Sequence, residues 1–147
     1  MSWFSNLLSR WFPRPAPLPP ASGDIIGDLL AAHNTLRIRN RLPSLRLASE
    51  LLRSAQGHAD WMAQNRTLDH NEGLSDAGRR MRSAGYFWTA CSENIAAGQN
   101  DVAAVMQSWQ SSFGHMQDIL GPYSEVGFGR SVGSDGIIYW CADFGTR

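Results

Sequence analysis

Apolar and polar positions along the chain change their period several times, and each change marks an element. In the first twelve residues, MSWFSNLLSRWF, Trp3, Leu7 and Trp11 recur every fourth position, and Phe4, Leu8 and Phe12 form the row beside them. That spacing predicts a short amphipathic helix over residues 1–12, too short to be stable in water unless its stripe finds a partner. Five of the seven prolines lie between Pro13 and Pro20, so residues 13–22 read as an extended spacer.

A globular domain follows over residues 23–147. Ser22 or Asp24 can cap a helix that carries Ile26, Leu29, His33 and Leu36 on one face and must end by Leu42-Pro43. A second helix starts near Ser49, with Leu51, Leu52, Ala55, Ala59 and Met62 on its apolar side. A short third runs from Ser75-Asp76 to a glycine stop at Gly85. Tyr86 to Ala90 predicts a strand. Asn100-Asp101 opens another helix with Val102, Val105, Met106 and Trp109 inward. In the last stretch Val126, Phe128 and Val132 alternate, GSDG turns, and Ile138, Trp140 and Phe144 alternate back, which is a hairpin. Helices first and a hairpin last make the class α+β.

Composition narrows the function classes. The chain has 147 residues, 43% of them hydrophobic, enough for a core without metal or disulfide staples. Thirteen basic residues, all Arg, balance thirteen acidic ones, so the basic excess expected of a nucleic-acid binder is missing. No apolar run reaches the ~18 residues of a membrane span. Nothing basic precedes the N-terminal apolar residues, and Asn6, Ser9 and Arg10 interrupt them, so a cleavable signal peptide is poorly matched. Residues 1–12 fit better as a docking peptide for a protein or membrane surface. Cys91 and Cys141 could form one bridge in an oxidising compartment, or pack as two buried thiols.

Four histidines are the candidates for chemistry. His33 and His58 fall on or beside apolar helix faces, where a hydrogen-bonded core histidine is the expected role. His70 sits in the polar stretch TLDHNEG, and His115 follows Gly114 at what reads as a tight turn after a helix ending with Trp109 and Phe113. No HExxH or cysteine cluster accompanies them. Glu93, in ACSENIAAG, is an acid at the end of an apolar strand. It could accept hydrogen bonds from a turn, orient a ligand histidine, or act as a base on bound water. The glycines of GFGRSVG precede no helix N-terminus, so they read as close packing against a neighbouring element and not as a phosphate loop. Arg79, Arg80 and Arg82 read as the solvated face of a short helix.

Several segments, in order, resemble one family. His33-Asn34 with Arg37 is similar to its HNxxR helix. SENI at 92–95 resembles its GENI signature, SWQSSFGHMQDIL its WxxSxGHxxxIL, and EVGFG and YWCADFG its closing strands. The chain is thereby identified as resembling the CAP superfamily (cysteine-rich secretory, antigen-five and pathogenesis-related proteins) in a short bacterial or phage-borne form, over about residues 25–145. The resemblance implies a three-layer α-β-α sandwich with a central, mainly antiparallel sheet. It also implies a cleft in which His70 and His115 hold a divalent metal, zinc above others, with Glu93 beside them and Glu125 near. The second cleft glutamate of many relatives is replaced here by Ser112. The same fold brings Cys91 and Cys141 onto one sheet, which favours the bridge. The implied function is a binding module for a lipid, glycan or protein ligand, tethered by residues 1–12, in a secreted or surface-exposed setting or a phage particle. The alternative is a metal-dependent hydrolase in which Glu93 is the base for a water on the His70/His115 metal.

Overall fold

The structure, a computed structural model, describes residues 17–147; the amphipathic stripe of residues 1–12 lies outside them. Residues 17–22 run without helix or strand, the Pro17 carbonyl accepting from Arg39 Nη2 at 3.1 Å and Leu18 packing on the core. Helix α1, Ile25–Arg39, starts where the Asp24 carboxylate accepts from the Gly27 amide. Strand β1 is only Arg46–Leu47, and helix α2 is Ser49–Asn65. Helix α3, Ala77–Ser83, is capped by Asp76 and stops at Gly85, whose φ of 93° suits a residue without Cβ. Strand β2 is Ala90–Ala97, helix α4 Val102–Gln110, helix α5 Phe113–Ile119, and strands β3, Glu125–Val132, and β4, Ile138–Thr146, form the closing hairpin.

The strands make one sheet in the order β1-β3-β4-β2, parallel only at the two-residue β1 edge. One face carries α1, α4 and α5, with Leu29, Leu36, Met106, Trp109, Ile119, Phe128, Trp140 and Phe144 in its core. The other carries α2 and α3, through Ala55, Ala59, Met62, Ile95 and Cys141 and through Leu51, Met81 and Tyr86. This is the three-layer α-β-α arrangement, and its class is α+β.

Two expected elements differ. The strand expected at Tyr86–Ala90 begins instead at Ala90, because Tyr86 turns in under α2 while Phe87 stays exposed. The run 92–94 is polar yet inside the strand, which hides its alternation from a hydropathy reading. The tight turn expected at His115 is a separate helix. The chain breaks at Ser111-Ser112 and restarts as α5, with His115 in its first turn.

Close contacts lock the layers together. A Cβ on Gly127 would overlap the backbone of Leu51 and Leu52, and one on Gly129 the backbone of Ala55. Helix α2 therefore lies directly on β3, the role the glycines of GFGRSVG were expected to play. On the opposite face the Arg37 guanidinium is buried and donates to four carbonyls, those of Pro43, Ile119, Gly121 and Tyr123, at 2.7–3.0 Å. His33 is fully buried against Trp109, Phe128 and Phe144, its Nδ1 donating to the Leu29 carbonyl at 2.7 Å.

The cysteines are both free. Cys91 pairs with Gly145 across the β2–β4 ladder and Cys141 with Ile95, an offset of four residues. At ~3.3 Å per residue that separates them by about 13 Å along the strands, beyond the reach of a disulfide. The expected bridge is corrected on this ground: sharing a sheet does not put two residues in register.

Gly127→Ala should lower the melting temperature by about 10 °C or more, because the obstacle is helix backbone that cannot rotate away. Gly57→Ala, inside α2 with open space around it, should raise stability by about 1 kcal/mol. Thermal unfolding of the two variants beside the wild type measures both. Burial holds the His33 pKa at about 4, below its ordinary 6.5. The folded state therefore resists a proton that the unfolded chain takes up, and about 3 kcal/mol of stability should be lost as pH falls from 6.5 to 4. Denaturant titrations across that range should show this part of the slope missing in His33→Gln.

Candidate functional site

Strand alternation sorts the polar residues of β2. Glu93 faces α2, while Ser92 and Asn94 face the side of α4 and α5. Glu93 is buried and bound on several sides. Arg80 of α3 reaches it with two nitrogens, Nη1 to Oε2 at 2.8 Å and Nη2 to Oε1 at 2.9 Å. His70 Nδ1 donates to Oε1 at 3.0 Å. Asp143 of β4 stands directly across the ladder from Glu93. The Cys141 sulfur and oxygens of both carboxyl groups lie within 4.8 Å of one another.

Two neighbours hold the His70 loop in place. Arg80 Nη2 also donates to the His70 carbonyl at 2.7 Å, so one guanidinium binds both the loop and the acid that grips its imidazole. His58, buried on α2 and stacked on Trp61, contacts the Asp69 carbonyl through Nε2 at 2.7 Å and Glu72 Oε1 through Nδ1 at 2.8 Å. Ser54 Oγ, one turn earlier, donates to Asp143 Oδ2 at 2.7 Å.

The two acids divide the protons between them. Burial pushes the Asp143 pKa well above the ordinary value, and the Glu93 charge adds to this. Burial opposes the charge on Glu93 too, but the hydrogen bonds from His70, Asp143 and Arg80 outweigh it and hold Glu93 well below the usual carboxylate range. Asp143 is thus a neutral acid donating toward an ionised Glu93. The bond to Glu93 raises the His70 pKa against the opposing effect of burial. Burial lowers that of His115.

His115 is on α5, tied to β2 by the Asn94 side-chain amide, which donates to the His115 carbonyl at 3.0 Å. The charge of His70 bears on His115, and that of Asp118 bears on both histidines. Glu125, expected near these residues, has its own partners. It accepts from Tyr86 Oη at 2.9 Å and pairs with Arg147 Nε at 3.2 Å. Arg80, read from the sequence as solvated, is buried because Glu93 needs it. Sequence reasoning also missed Asp143, Ser54 and Asp118. The signal available for Asp143 was an acid inside the apolar run YWCADFG.

A divalent metal suits part of this arrangement. His70 has its Nδ1 taken by a carboxylate, which leaves Nε2 with a lone pair on a half-exposed ring. Two imidazoles form a borderline donor set suited to zinc. Glu93, Cys141 and Asp143 do not suit a cation, because Arg80 already occupies that side of Glu93 and burial keeps the other two protonated.

Comparison with known proteins supports the same architecture. The sequence pattern of the cysteine-rich secretory protein family matches residues 30–144. The Bacillus subtilis protein called uncharacterized protein YkwD is 30% identical over 98 residues, 65% of this chain and 38% of that relative, so the chain spans well under half the relative's length. An outer surface protein from Borrelia burgdorferi superposes with a TM-score of 0.79 at 21% identity, covering 87% of this chain and 96% of that one. An extracellular protein containing an SCP domain, from Bacillus anthracis, gives a TM-score of 0.76 at 25% identity over 90% of this chain and 45% of its own.

Glu93→Gln should destabilise the protein by about 3–5 kcal/mol, since it strands a buried guanidinium. Asp143→Asn should behave in the opposite way. The wild-type Asp143 contribution is fully present below pH 3.8 and is lost as pH rises toward the raised folded pKa. The asparagine variant should therefore match the wild type near pH 4 and exceed it at pH 7, as read by denaturant titration at each pH.

Proposed function

The chain belongs to the cysteine-rich secretory protein family, and on that premise we propose that it is an interaction module whose recognition site is the His70–His115 cleft, loaded with a divalent metal. The observation that carries this reading is the His70–Glu93 contact of 3.0 Å, backed by the buried Arg80 pair. It fixes the ring with Nε2 left over for a ligand, which is how protein carboxylates orient metal-binding histidines. His70 and His115 are the holding residues, and zinc is the ion that best matches them. When bound, such an ion supplies a Lewis-acid centre with positions open for a ligand oxygen or water.

Leu74, 92% exposed on the same loop as His70, and Phe113, 81% exposed two residues before His115, add apolar surface beside these polar groups. This favours a lipid or an apolar protein surface over a glycan as the cleft ligand. Residues 1–12 serve as the tether to a protein or membrane surface. The relatives described as outer surface and extracellular proteins favour an exported or surface setting over a phage particle. Among the described residues no helix is long and apolar enough to cross a membrane.

The hydrolase alternative is weaker. A carboxylate held ionised by Arg80 and His70 is a poor proton acceptor, so Glu93 orients and does not act as base. Calorimetric titration of the full chain with zinc at pH 7 tests the metal reading. Micromolar or tighter binding is expected, weakened tenfold or more in His70→Ala and in His115→Ala. Absence of binding by the wild type would overturn it.

A further inference from the structure

The sheet ends in two edges, and the chain treats them differently. On one side β1 pairs only with Glu125 and Val126. Further along β3 the Gln56 side chain of α2 takes over, donating to the Arg130 carbonyl at 2.9 Å and accepting from the Arg130 amide at 3.1 Å. A carboxamide thus closes the edge where no strand does. On the other side lies β2, and its first half has no such cover.

The ladder fixes which groups of β2 face outward. The Gly98 amide donates to the Ile138 carbonyl opposite it at 2.9 Å. Counting back by twos, Ala96, Asn94 and Ser92 turn their N–H and C=O toward β4, while Ile95, Glu93 and Cys91 turn theirs away. Trp109 agrees with this direction, since its Nε1 donates to the Ile95 carbonyl at 3.2 Å from outside the ladder. Among the described residues nothing bonds to the outward N–H and C=O of Cys91 and Glu93, or to the Ile95 N–H. The Glu93 side chain is 2% exposed and the whole residue 7%, so most of its exposure is main chain. The His70 loop lies on the face of β2 that carries the Glu93 side chain, and α5 lies on the opposite face through Asn94. The open edge runs between them.

We propose that the edge of β2 from Cys91 to Ile95 receives an extended segment of a partner protein, which joins the sheet as a further strand. Donors and acceptors repeat along this edge at the strand spacing, about 7 Å for every two residues. An extended peptide carries the complementary repeat, whereas a lipid chain has no polar groups to offer it. The side chains of the added strand alternate between the two flanks. One set meets the segment that bears Leu74 and the other the segment that bears Phe113, both exposed, so apolar residues suit both sets. Pairing stops at the Ile95 carbonyl, which Trp109 already occupies. That the cleft is a recognition site is the reading above, on which this inference rests; it does not require the metal.

Hydrogen exchange in the metal-free full chain, followed by 1H–15N spectra, tests the edge before any ligand is added. The Cys91 and Glu93 amides should exchange about a hundredfold or more faster than those of Ser92 and Asn94, which are paired with β4. Equal protection would overturn the inference. The binding probe is a displayed library of random peptides about ten residues long, selected on the full chain and resynthesised as free peptides. A bound peptide should slow the Cys91 and Glu93 amides. Methylating its backbone nitrogens one at a time should weaken binding about tenfold or more at alternate residues only. Cys91→Pro removes an outward N–H and leaves the β4 ladder intact, so it should weaken binding as much, and Cys91→Ala should not. Should Cys91→Pro fail to fold, the methylated peptides decide alone. No enriched peptide, or binding indifferent to methylation, would overturn the inference. If phosphatidylcholine vesicles then bind the wild type and not Leu74→Ser, the recognition site stands with a lipid as its ligand. A peptide that passes these tests in a wild type that binds no zinc would uphold the strand pairing and overturn the metal reading.

Discussion

The closeness of α2 to β3 is the constraint from which the rest of the molecule follows. Gly127 and Gly129 leave room for helix backbone where any side chain would push it away. The helix seated there carries Ser54 over Asp143 and His58 over the loop that ends in His70. Moving it outward by the width of a methyl group would leave the Asp143 carboxyl without its hydroxyl donor and free the Asp69–Glu72 turn. Packing and chemistry share one helix here, so a position that looks purely structural also sets the geometry of the site.

The seat also makes a buried charge tolerable. Glu93 is out of water, and an isolated carboxylate there would be neutral. It stays ionised because Arg80, His70 and the neutral Asp143 all direct protons at it. Such clusters rarely stabilise a fold relative to apolar packing of the same volume. What this one provides is orientation, since Arg80 fixes the His70 backbone and the Glu93 side chain together. A half-exposed imidazole is thereby bonded to a buried, doubly anchored carboxylate.

Local pattern made most of this fold legible. Cap residues, the Gly85 stop, the hairpin and the inward rows of α1, α2 and α4 all follow from period and turn chemistry, because in those segments buried positions are apolar. Reading failed where buried positions are polar. Ser92, Glu93 and Asn94 break the alternation of β2, so the strand was placed too early, although its only peculiarity is that it carries the site. Arg80 looked solvated because a seven-residue helix gives too few turns to show which arginine faces inward. His70, His115 and Glu93 were singled out because each is a chemically capable group in an unusual setting, and the family resemblance then joined them. Asp143 and Asp118 needed three dimensions. One is an acid concealed by strand register, and the other lies on α5, a seven-residue helix whose N-cap Ser112 makes no side-chain capping bond. The bridge between Cys91 and Cys141 failed for a related reason, since the resemblance implied a common sheet but not the four-residue offset within it.

The two histidines are tuned in opposite directions, and this bears on how the cleft would take a cation. His115, lowered by burial, is already neutral at pH values where His70, raised by Glu93, still holds a proton. A metal arriving at such a pair finds one ready ligand and must displace a proton from the other. The displaced proton belongs to the ring bonded to Glu93, so the carboxylate that orients His70 is also what resists loading as pH falls. On the proposed metal reading, the same contact would give the site both its geometry and its sensitivity to acid, and loosening it to relieve the second would forfeit the first.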